Sequence, residues 1–524
     1  MSELFSAVKR KRDHLTILVG AGISMNASLP SWRELVWNMA QQIGDETLRE
    51  MVCSQSSDSL ERRAETIINI ACAANPDIDA AQIIRDALYR TKVPTPGILA
   101  LSIGRLVALY FPNVSVLTTN FDLVLEGAIA NYLPKSALGS YSLDSYRDWQ
   151  HSEKDDSKLG ILHLHGVVRQ SGKPPLTPLV LKDSDFLEHG AEVRSAVADA
   201  ISTGVSIFAG LSLTDPNLVG PLYEKTDPGS AQRYGLFVPR LHGGRFGPEQ
   251  HALLALSEAE FLKEKLALRP IFAKSYSQLN QLISELALAV GEPSLYRRNA
   301  PRSQSLHYGT RFKQELARAY SSIGGNPRTG ELDESAALAL SRKLRDALRS
   351  SHGPTPLLAR FRRKYRSSVA ATENFGVFLW LRSLDRGGEK KYALNLVGTS
   401  VYTHLESWSS RREVPIVGDS DYAAVHAIFE GVVKAENLDP GRNGQMWRGV
   451  VAVPLIVNES RCTLRVGADP LDTLVIGAIT LDSTACVDAE SAEGDALSVV
   501  SQLGRHEFQK IVDALNKVAG VVLS

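Results

Sequence analysis

The chain has 524 residues, of which 44% are apolar and 22% are charged, and this balance excludes collagen-like, wholly disordered and disulfide-scaffold proteins. Its 58 basic and 58 acidic residues cancel, so no global field draws the chain to nucleic acid or to an anionic membrane. The length predicts two or three domains.

The cysteines and the N-terminal residues predict a cytoplasmic protein. No uncharged apolar run reaches about 18 residues, and the sequence before Leu15 lacks the apolar core of a secretory signal, so we expect neither a membrane span nor export. The cysteines lie far apart without a C-x-x-C pair, which excludes a four-thiolate zinc site and indicates reduced thiols. They are Cys53, Cys72, Cys462 and Cys486.

Residues 15 to about 290 alternate short apolar runs with longer amphipathic stretches. Five of the runs are brief and rich in β-branched residues, namely LTILVG, VSVLTTN, LGILHLHG, GVSIFAG and GLFVPR. Such strands, separated by helices, are typical of a parallel sheet that helices cover on both faces. We therefore predict an α/β domain over residues 1–290, with a Rossmann-like parallel sheet and a helical insertion at about 45–110.

The sequence changes character after residue 290. Residues 291–310 combine Pro, Arg, Ser and Asn with little apolar periodicity, and we predict a linker over 291–329. Residues 330–524 are predicted to form a separate α+β domain, because their strands can pair antiparallel through short turns. Its predicted strands are FGVFLWLRS, YALNLVGTSVYT, WRGVVAVPLIV and TLVIGAITLDS, and its predicted helices lie at about 333–350, 421–434 and 494–518.

A turn of small residues, Gly20-Ala21-Gly22-Ile23-Ser24, follows the first predicted strand. Small residues at this point let backbone N–H groups approach a pyrophosphate. Met25 stands at the third glycine position of the dehydrogenase fingerprint, so this is not that fingerprint. A tight turn without a ligand remains the alternative.

Two further clusters follow the second and third predicted strands. Thr119, Asn120 and Asp122 come after VSVLT, where helix capping by Asn120 or Asp122 is the simpler interpretation. His163 and His165 are predicted on one face of the strand LGILHLH. Two imidazoles suggest a metal, but no Asp, Glu or Cys at ligand spacing accompanies them, and a structural histidine is the usual alternative.

A fourth cluster, Gly210, Ser212 and Asp215, follows the strand VSIFA, where an ordinary polar loop is the alternative. The carboxyl ends of parallel strands meet at one edge of a sheet, and open α/β sheets bind their ligands there. We therefore expect the four clusters to form one site.

In this order, GAGIS, TTNFD, HLHG and GLSLTDPN resemble the sirtuin fold, particularly the divergent sirtuin-like domains of bacterial antiphage defence proteins. The resemblance covers about residues 13–290. It implies that His165 and Asn120 are catalytic. The residues that it assigns to NAD+ binding are Gly20, Ala21, Gly22, Ser24, Thr119, Asn120, Asp122, Gly210, Ser212 and Asp215.

Two departures from deacetylase sirtuins bear on the activity. No cysteine lies between Cys72 and Cys462, so the four-cysteine zinc module of those enzymes is absent, and His163 stands where they commonly have an acidic residue. Both departures resemble the defence-associated branch, whose members typically hydrolyse NAD+ and starve an infected cell. The resemblance implies a bacterial cytoplasmic NAD+ glycohydrolase, with NAD+ as substrate and no metal. A protein deacylase and a non-catalytic sensor or scaffold for NAD+ or ADP-ribose are the alternatives.

The chemistry of NAD+ suits the two residues assigned to catalysis. Nicotinamide departs from a positively charged ring without an acid, and the ribose acquires oxocarbenium character. Histidine changes protonation near neutral pH, so His165 can act as the base for water or a ribose hydroxyl. Asn120 would orient the ribose or the water. The presence of both residues argues against a pure binding protein.

Residues 330–524 resemble GAF-type sensory domains in their last strands and final helix. GAF domains commonly bind small molecules on one sheet face or dimerise through terminal helices. Trp380, Tyr402, Trp408 and Trp447 are candidates for lining a pocket, although aromatic residues on strands more often belong to the core. The basic run 359–366 is more typical of a solvated face than of a nucleic-acid site.

An unrestrained NADase would kill its own cell, so fusion to a sensor-like domain suggests a gate. We expect an unidentified activating ligand or partner protein to act through the C-terminal domain, and the chain to form a homo-oligomer or a defence complex. No membrane partner and no directly bound nucleic acid are expected.

Overall fold

The computed structural model of the chain describes residues 2–9, 13–25, 27, 29–54, 58–89, 94, 96–224, 231–238, 248–273, 275–291, 308–366, 368–383, 393–401, 413–416, 420–438, 446–457, 474–489, 492 and 496–523. These residues contain a seven-stranded sheet, a six-stranded sheet and a two-stranded ribbon.

The first half of the chain alternates strands and helices. Its strands are β1 (Leu15–Val19), β2 (Val114–Thr118), β3 (Leu138–Ser142), β4 (Leu159–His163), β5 (Val205–Ala209), β6 (Gln232–Phe237) and β7 (Arg269–Phe272). Its helices are α1 (Ser2–Lys9), α2 (Gly22–Met25), α3 (Trp32–Ala40), α4 (Glu46–Ser54), α5 (Leu60–Ala74), α6 (Ala80–Leu88), α7 (Ile98–Tyr110), α8 (Val124–Ile129), α9 (Tyr146–Ser152), α10 (Asp183–Ala200), α11 (Pro216–Glu224), α12 (Pro248–Leu266) and α13 (Tyr276–Gly291).

The seven strands pair in the order β3-β4-β2-β1-β5-β6-β7, and every pair is parallel. The α/β class and the parallel sheet predicted from the sequence are confirmed, and the sheet is consistent with a Rossmann-like fold. From β1 the chain passes to β2 on one side and later to β5 on the other. The order of strands therefore reverses beside β1, where open α/β sheets have their binding crevice.

Helices cover both faces of this sheet. All residues of β1, β2, β4 and β5 are buried, which explains why these strands are almost continuously apolar. Ile17 packs into a core with α3, α7, α8 and α13, whereas its neighbour Leu18 packs into a second core with α10 and α11. Alternate residues of one strand thus hold two helical layers.

The second half of the chain has helices α14 (Tyr308–Ser322), α15 (Glu334–Arg349), α16 (Pro354–Lys364), α17 (Ala423–Glu430) and α18 (Arg505–Val522). Its strands are β8 (Gly325–Asn326), β9 (Glu331–Leu332), β10 (Phe375–Arg382), β11 (Ala393–Thr399), β12 (Glu413–Pro415), β13 (Lys434–Asn437), β14 (Gly449–Val457) and β15 (Leu474–Ser483). The last six pair antiparallel in the order β12-β11-β10-β15-β14-β13 and curve into a half-barrel.

Several local predictions need correction. The stretch predicted as a linker contains α14 from residue 308, and this helix packs through Leu316 and Tyr320 into the core beside the antiparallel sheet. The helix predicted at 421–434 ends at Glu430, because Gly431 adopts the left-handed conformation. The helix predicted at 494–518 begins only at Arg505.

The features proposed for the second domain have mixed outcomes. Trp380 and Trp447 are buried in a core with α17, whereas Tyr402 and Trp408 lie outside the described residues. The basic run 359–366 falls largely on α16, whose arginines at positions 360 and 363 are exposed.

The described cysteines Cys53, Cys72 and Cys486 are free thiols, and Cys462 is not among the described residues. Within the described ranges, no helix has the length and apolar character needed to cross a membrane.

The central strand should dominate the stability of the parallel sheet. Ile17 is 2% exposed and Leu187 is 86% exposed. We expect Ile17→Ala to lower the free energy of unfolding by about 2–5 kcal/mol through the cavity that it leaves, and Leu187→Ala to change it by less than about 0.5 kcal/mol. Chemical denaturation followed by circular dichroism measures both, and equal losses would contradict this packing.

Candidate active site

The four polar clusters predicted from the sequence follow four adjacent strands, β4, β2, β1 and β5. The strands are parallel and in register, so the residues after their carboxyl ends lie along one edge of the sheet. Main-chain hydrogen bonds extend this order into the loops, because Thr119 N donates to Val19 O at 3.2 Å and Leu164 N donates to Thr118 O at 2.8 Å. The predicted convergence at one edge of the sheet is confirmed.

Asn120 is buried and held through its side-chain amide. Its Nδ2 donates to the carbonyl oxygen of Gly20 at 3.1 Å and to Ser24 Oγ at 2.8 Å. A carbonyl only accepts hydrogen bonds, so the amide orientation is fixed with nitrogen toward Gly20. Both Nδ2 protons are used, and Oδ1 has no partner among the described residues. The side chain therefore has one acceptor left for a ligand.

Asp122, in the same loop, accepts two hydrogen bonds that link the loop to α2 and α8. Its Oδ2 accepts a hydrogen bond from Ser24 Oγ at 2.7 Å, and its Oδ1 accepts from Val124 N at 2.9 Å at the start of α8. Burial raises the pKa of Asp122, and these two hydrogen bonds oppose that rise. Asp122 thus accepts from the first residue of α8 although the N-cap is Leu123, so neither Asp122 nor Asn120 is the predicted helix cap.

His165 lies beyond its strand, contrary to the prediction that it shares a strand face with His163. β4 ends at His163, and His165 occupies the following turn. Its Nε2 is 3.3 Å from Asp215 Oδ2, and its ring packs edge-on against Phe186 with 5.4 Å between the ring centroids. Both of these atoms are buried, and neither makes a well-aligned hydrogen bond among the described residues.

His163 has a different environment from His165. It is fully buried, with Nδ1 2.9 Å from Asn120 O and Nε2 2.7 Å from Glu126 Oε1. Burial lowers the pKa of His163, but the charge and hydrogen bond of Glu126, together with the hydrogen bond to Asn120 and the charge of Asp122, raise it above its ordinary value of 6.5. Burial raises the pKa of Glu126, but the His163 charge and hydrogen bonds hold it below 4.5. The two form a buried ion pair.

Sequence reasoning missed Glu126. An acidic residue on a short helix ordinarily indicates a solvated face, and only the pairing of β2 with β4 brings α8 to His163. Ser140 Oγ on β3 also donates to Glu126 Oε1, at 2.6 Å. The carboxylate thus joins the strand that carries His163 to its neighbour.

The glycines permit a close approach between the loops after β1 and β5. A Cβ on Gly22 would lie 2.7 Å from Gly210 Cα, and Gly210 itself has a φ of +68°. The N–H groups of Gly20, Gly22, Ile23 and Ser24 all donate to main-chain carbonyls. The prediction that this row of N–H groups faces a pyrophosphate is therefore wrong for these four donors.

The loop after β5 presents hydroxyls toward solvent. Ser212 is exposed, and its Oγ is 2.7 Å from Thr214 Oγ1. Asp215 Oδ1 accepts from Asn217 N at 2.8 Å at the start of α11, which leaves Oδ2 for His165. No three His, Cys, Asp or Glu residues in the described parts of the chain are grouped as a metal site.

The ion pair between His163 and Glu126 should make folding depend on pH. We expect His163→Phe or Glu126→Leu alone to lower the unfolding free energy by about 3–5 kcal/mol, because each leaves a buried partner uncompensated, and the double variant to lose less than the sum. Because the pKa of His163 is raised on folding, its contribution to the free energy of unfolding is complete below pH 6.5. This contribution is lost as pH rises through the pKa of the folded state. Because the pKa of Glu126 is lowered on folding, its contribution to the free energy of unfolding is complete above pH 4.5. This contribution is lost as pH falls through the pKa of the folded state.

The coupling free energy between these two positions is therefore expected to be largest between pH 4.5 and 6.5. A double-mutant cycle from urea unfolding at several pH values measures it. A coupling near zero, or one that does not change with pH, would refute the ion pair.

The close approach at Gly22 gives a second prediction. Gly22→Ala places a methyl group against the Gly210 backbone, so we expect a loss of about 1–3 kcal/mol in stability. Gly44 has no heavy atom within 4 Å of its hypothetical Cβ, so Gly44→Ala is the matched control and should be near neutral. Thermal melting of both variants measures the difference, and equal melting temperatures would contradict the contact.

Residues 114–239 match the protein family described as SIR2-like domain. The matched segment begins at β2 and extends just past β6, so it includes Asn120, His165 and Asp215. No curated protein matches the sequence. This segment is thus similar to SIR2-like, or sirtuin-like, domains, and the similarity supports an NAD-related function.

Proposed function

We propose that this protein is an NAD+ glycohydrolase that cleaves the bond between nicotinamide and ribose. The observation that carries the proposal is the arrangement of Asn120 and His165 at adjacent strand ends. The amide of Asn120 is locked with Oδ1 unpartnered, and His165 is paired with Asp215 rather than satisfied by the core. The SIR2-like domain that contains all three residues supports NAD+ as the ligand.

The reaction needs few groups from the protein. As the glycosidic bond breaks, its electron pair leaves with nicotinamide and cancels the ring's positive charge, so no acid is needed. Water then bonds to C1′ of the ribose, and its proton passes to a base. The products are nicotinamide and ADP-ribose. A ribose hydroxyl as nucleophile would give a cyclised product by the same steps.

His165 is the proposed base, and Asp215 is its partner. When His165 takes a proton, the carboxylate 3.3 Å away stabilises the imidazolium. Asn120 Oδ1 is the proposed acceptor for a hydroxyl of the ribose or for the attacking water. Both roles use atoms that have no hydrogen bond of good geometry in the described residues.

The rest of NAD+ is proposed to contact the small residues after β1, which allow a close approach although their N–H groups are largely engaged, the polar residues after β2, and the hydroxyls after β5. Ser24 and Asp122 act indirectly, since their side chains are used in holding Asn120 and the loop. Ser212 faces solvent, where it can reach a ribose or phosphate oxygen. The residues in this proposed set are Gly20, Ala21, Gly22, Ser24, Thr119, Asn120, Asp122, Gly210, Ser212 and Asp215.

We further propose that the C-terminal domain regulates the activity in antiphage defence. Tyr276 of α13 packs edge-on against Phe429 of α17, with 5.6 Å between the ring centroids. A groove of about 920 Å³ also separates Trp37 and Asn38 of α3 from Gln509 and Asn516 of α18. A ligand or partner that changes these contacts can therefore bias the catalytic domain.

The first experiment incubates the purified full-length chain with NAD+, with and without an acetylated peptide, and separates the products by chromatography. A glycohydrolase releases nicotinamide without the peptide, whereas a deacylase requires it. Because the second domain is proposed as a gate, NAD+ is also measured in cells that express the chain. Intact NAD+ in both settings would overturn the proposal.

Variants test the assigned roles. We expect His165→Ala and Asn120→Ala each to lower kcat by about 10²–10⁴-fold, which corresponds to about 3–5 kcal/mol of barrier. Asp215→Asn should lower it by about 10²-fold, and its effect should vanish in the His165→Ala background because the pair acts as a unit. His352, exposed in the second domain, supplies the control His352→Ala with unchanged turnover. Near-normal nicotinamide release by the His165 and Asn120 variants would remove the assignment.

A further inference from the structure

His163 contacts the main chain of Asn120, one of the two residues proposed to be catalytic. Its two ring nitrogens face a main-chain carbonyl, that of Asn120, and the carboxylate of Glu126. A carbonyl only accepts, so Nδ1 must carry a proton, and a carboxylate that also accepts from Ser140 favours a proton on Nε2. Neither nitrogen then has a lone pair for a metal ion. The alternative of a metal-binding histidine pair is excluded for His163.

The hydrogen bond from His163 completes the fixation of Asn120. The main-chain N of Asn120 donates to Thr118 Oγ1 at 3.1 Å, and its side-chain amide is bound to Gly20 and Ser24. Nδ1 of His163 holds the remaining main-chain group, the carbonyl. Every polar atom of Asn120 except Oδ1 is thereby bound, so the position of Oδ1 depends on all of these contacts.

We propose that His163, charged by Glu126, is a positioning residue that sets where Asn120 Oδ1 meets the ribose of NAD+; this rests on the proposed function. A buried ion pair is weak evidence for added stability, since desolvation offsets most of the attraction. The geometry of this ion pair has a more specific consequence for the hydrogen bond between Nδ1 and the Asn120 carbonyl. While His163 is charged, Nδ1 stays a donor, because the imidazolium has no tautomer in which Nδ1 would face the carbonyl as an acceptor.

Two substitutions separate positioning from stability. In His163→Asn the amide nitrogen replaces Nδ1, so the bond to the Asn120 carbonyl can persist while Glu126 loses its partner. In His163→Gln the amide nitrogen replaces Nε2, so the bond to Glu126 can persist while the Asn120 carbonyl loses its donor. Both variants remove the positive charge, which makes them matched controls for each other.

We expect activity and stability to rank the variants in opposite orders. His163→Gln should melt at the higher temperature but lower kcat by about 10–100-fold and weaken NAD+ binding, because a small misplacement of a positioned group costs about that much. His163→Asn should melt lower yet keep kcat and NAD+ affinity closer to the unsubstituted protein, within about 5-fold. Nicotinamide release gives kcat, isothermal titration gives the NAD+ affinity, and calorimetry gives the melting temperature.

The outcomes distinguish this inference from the proposed function. If activity and affinity follow stability, with His163→Gln better than or equal to His163→Asn, His163 is structural and the positioning role is wrong. If the unsubstituted chain binds NAD+ without hydrolysing it, the proposed function fails, and the order of NAD+ affinities alone decides the positioning role. If the chain neither binds nor hydrolyses NAD+, both are overturned.

Discussion

The candidate site exists because β4, β2, β1 and β5 pair in parallel and in register. Parallel pairing sends every strand in the same direction, so the turns that leave the sheet must share one edge. Residues separated by 100 positions, such as Gly20 and Asn120, are thereby brought within hydrogen-bonding distance. The chemistry of the site is secondary to this constraint, since each loop alone is an ordinary turn.

Buried charge is the second organising element. Asp122 and Glu126 are both buried near Asn120, where burial raises the pKa of each carboxyl and the charge of His163 lowers it. Glu126 is compensated directly by His163, whereas Asp122 is compensated by hydrogen bonds from Ser24 and the start of α8. The loop after β2 is therefore held by polar contacts with α2, α8 and β4, and Asn120 Oδ1 is left without a partner among the described residues. Such a division is what a preorganised site requires.

Much of the parallel sheet could be predicted from the sequence, because strands buried on both faces are almost continuously apolar. The sequence analysis missed β3 and β7, and there is a physical reason for this. Both are edge strands, β3 with the polar sequence LGSYS and β7 with a proline, so neither shows the apolar run that reveals a central strand. The strand end before His165 was also missed, because the apolar pattern continues through Leu164 into the turn.

The candidate site was predictable only in part. The four clusters could be placed at one edge, since that follows from strand direction alone. Their contacts could not, because Glu126 meets His163 only through the pairing of β2 with β4, and Asp215 reaches His165 across two intervening strands. These relations depend on tertiary distances that no local pattern encodes. The same limit applies to α14, whose polar surroundings in sequence concealed a helix that packs through a few buried residues.

The contact between His165 and Asp215 has a practical consequence for chain connectivity. The polypeptide leaves the edge of the sheet at the histidine, runs through α10 and β5, and returns to the same edge at the aspartate, where the two side chains meet. Gly172 lies at an exposed turn of this segment, with no heavy atom within 4 Å of where a side chain would begin. A short tag or a fluorophore inserted at that turn would leave the contact between His165 and Asp215 intact, because an exposed turn without neighbouring atoms tolerates an insertion.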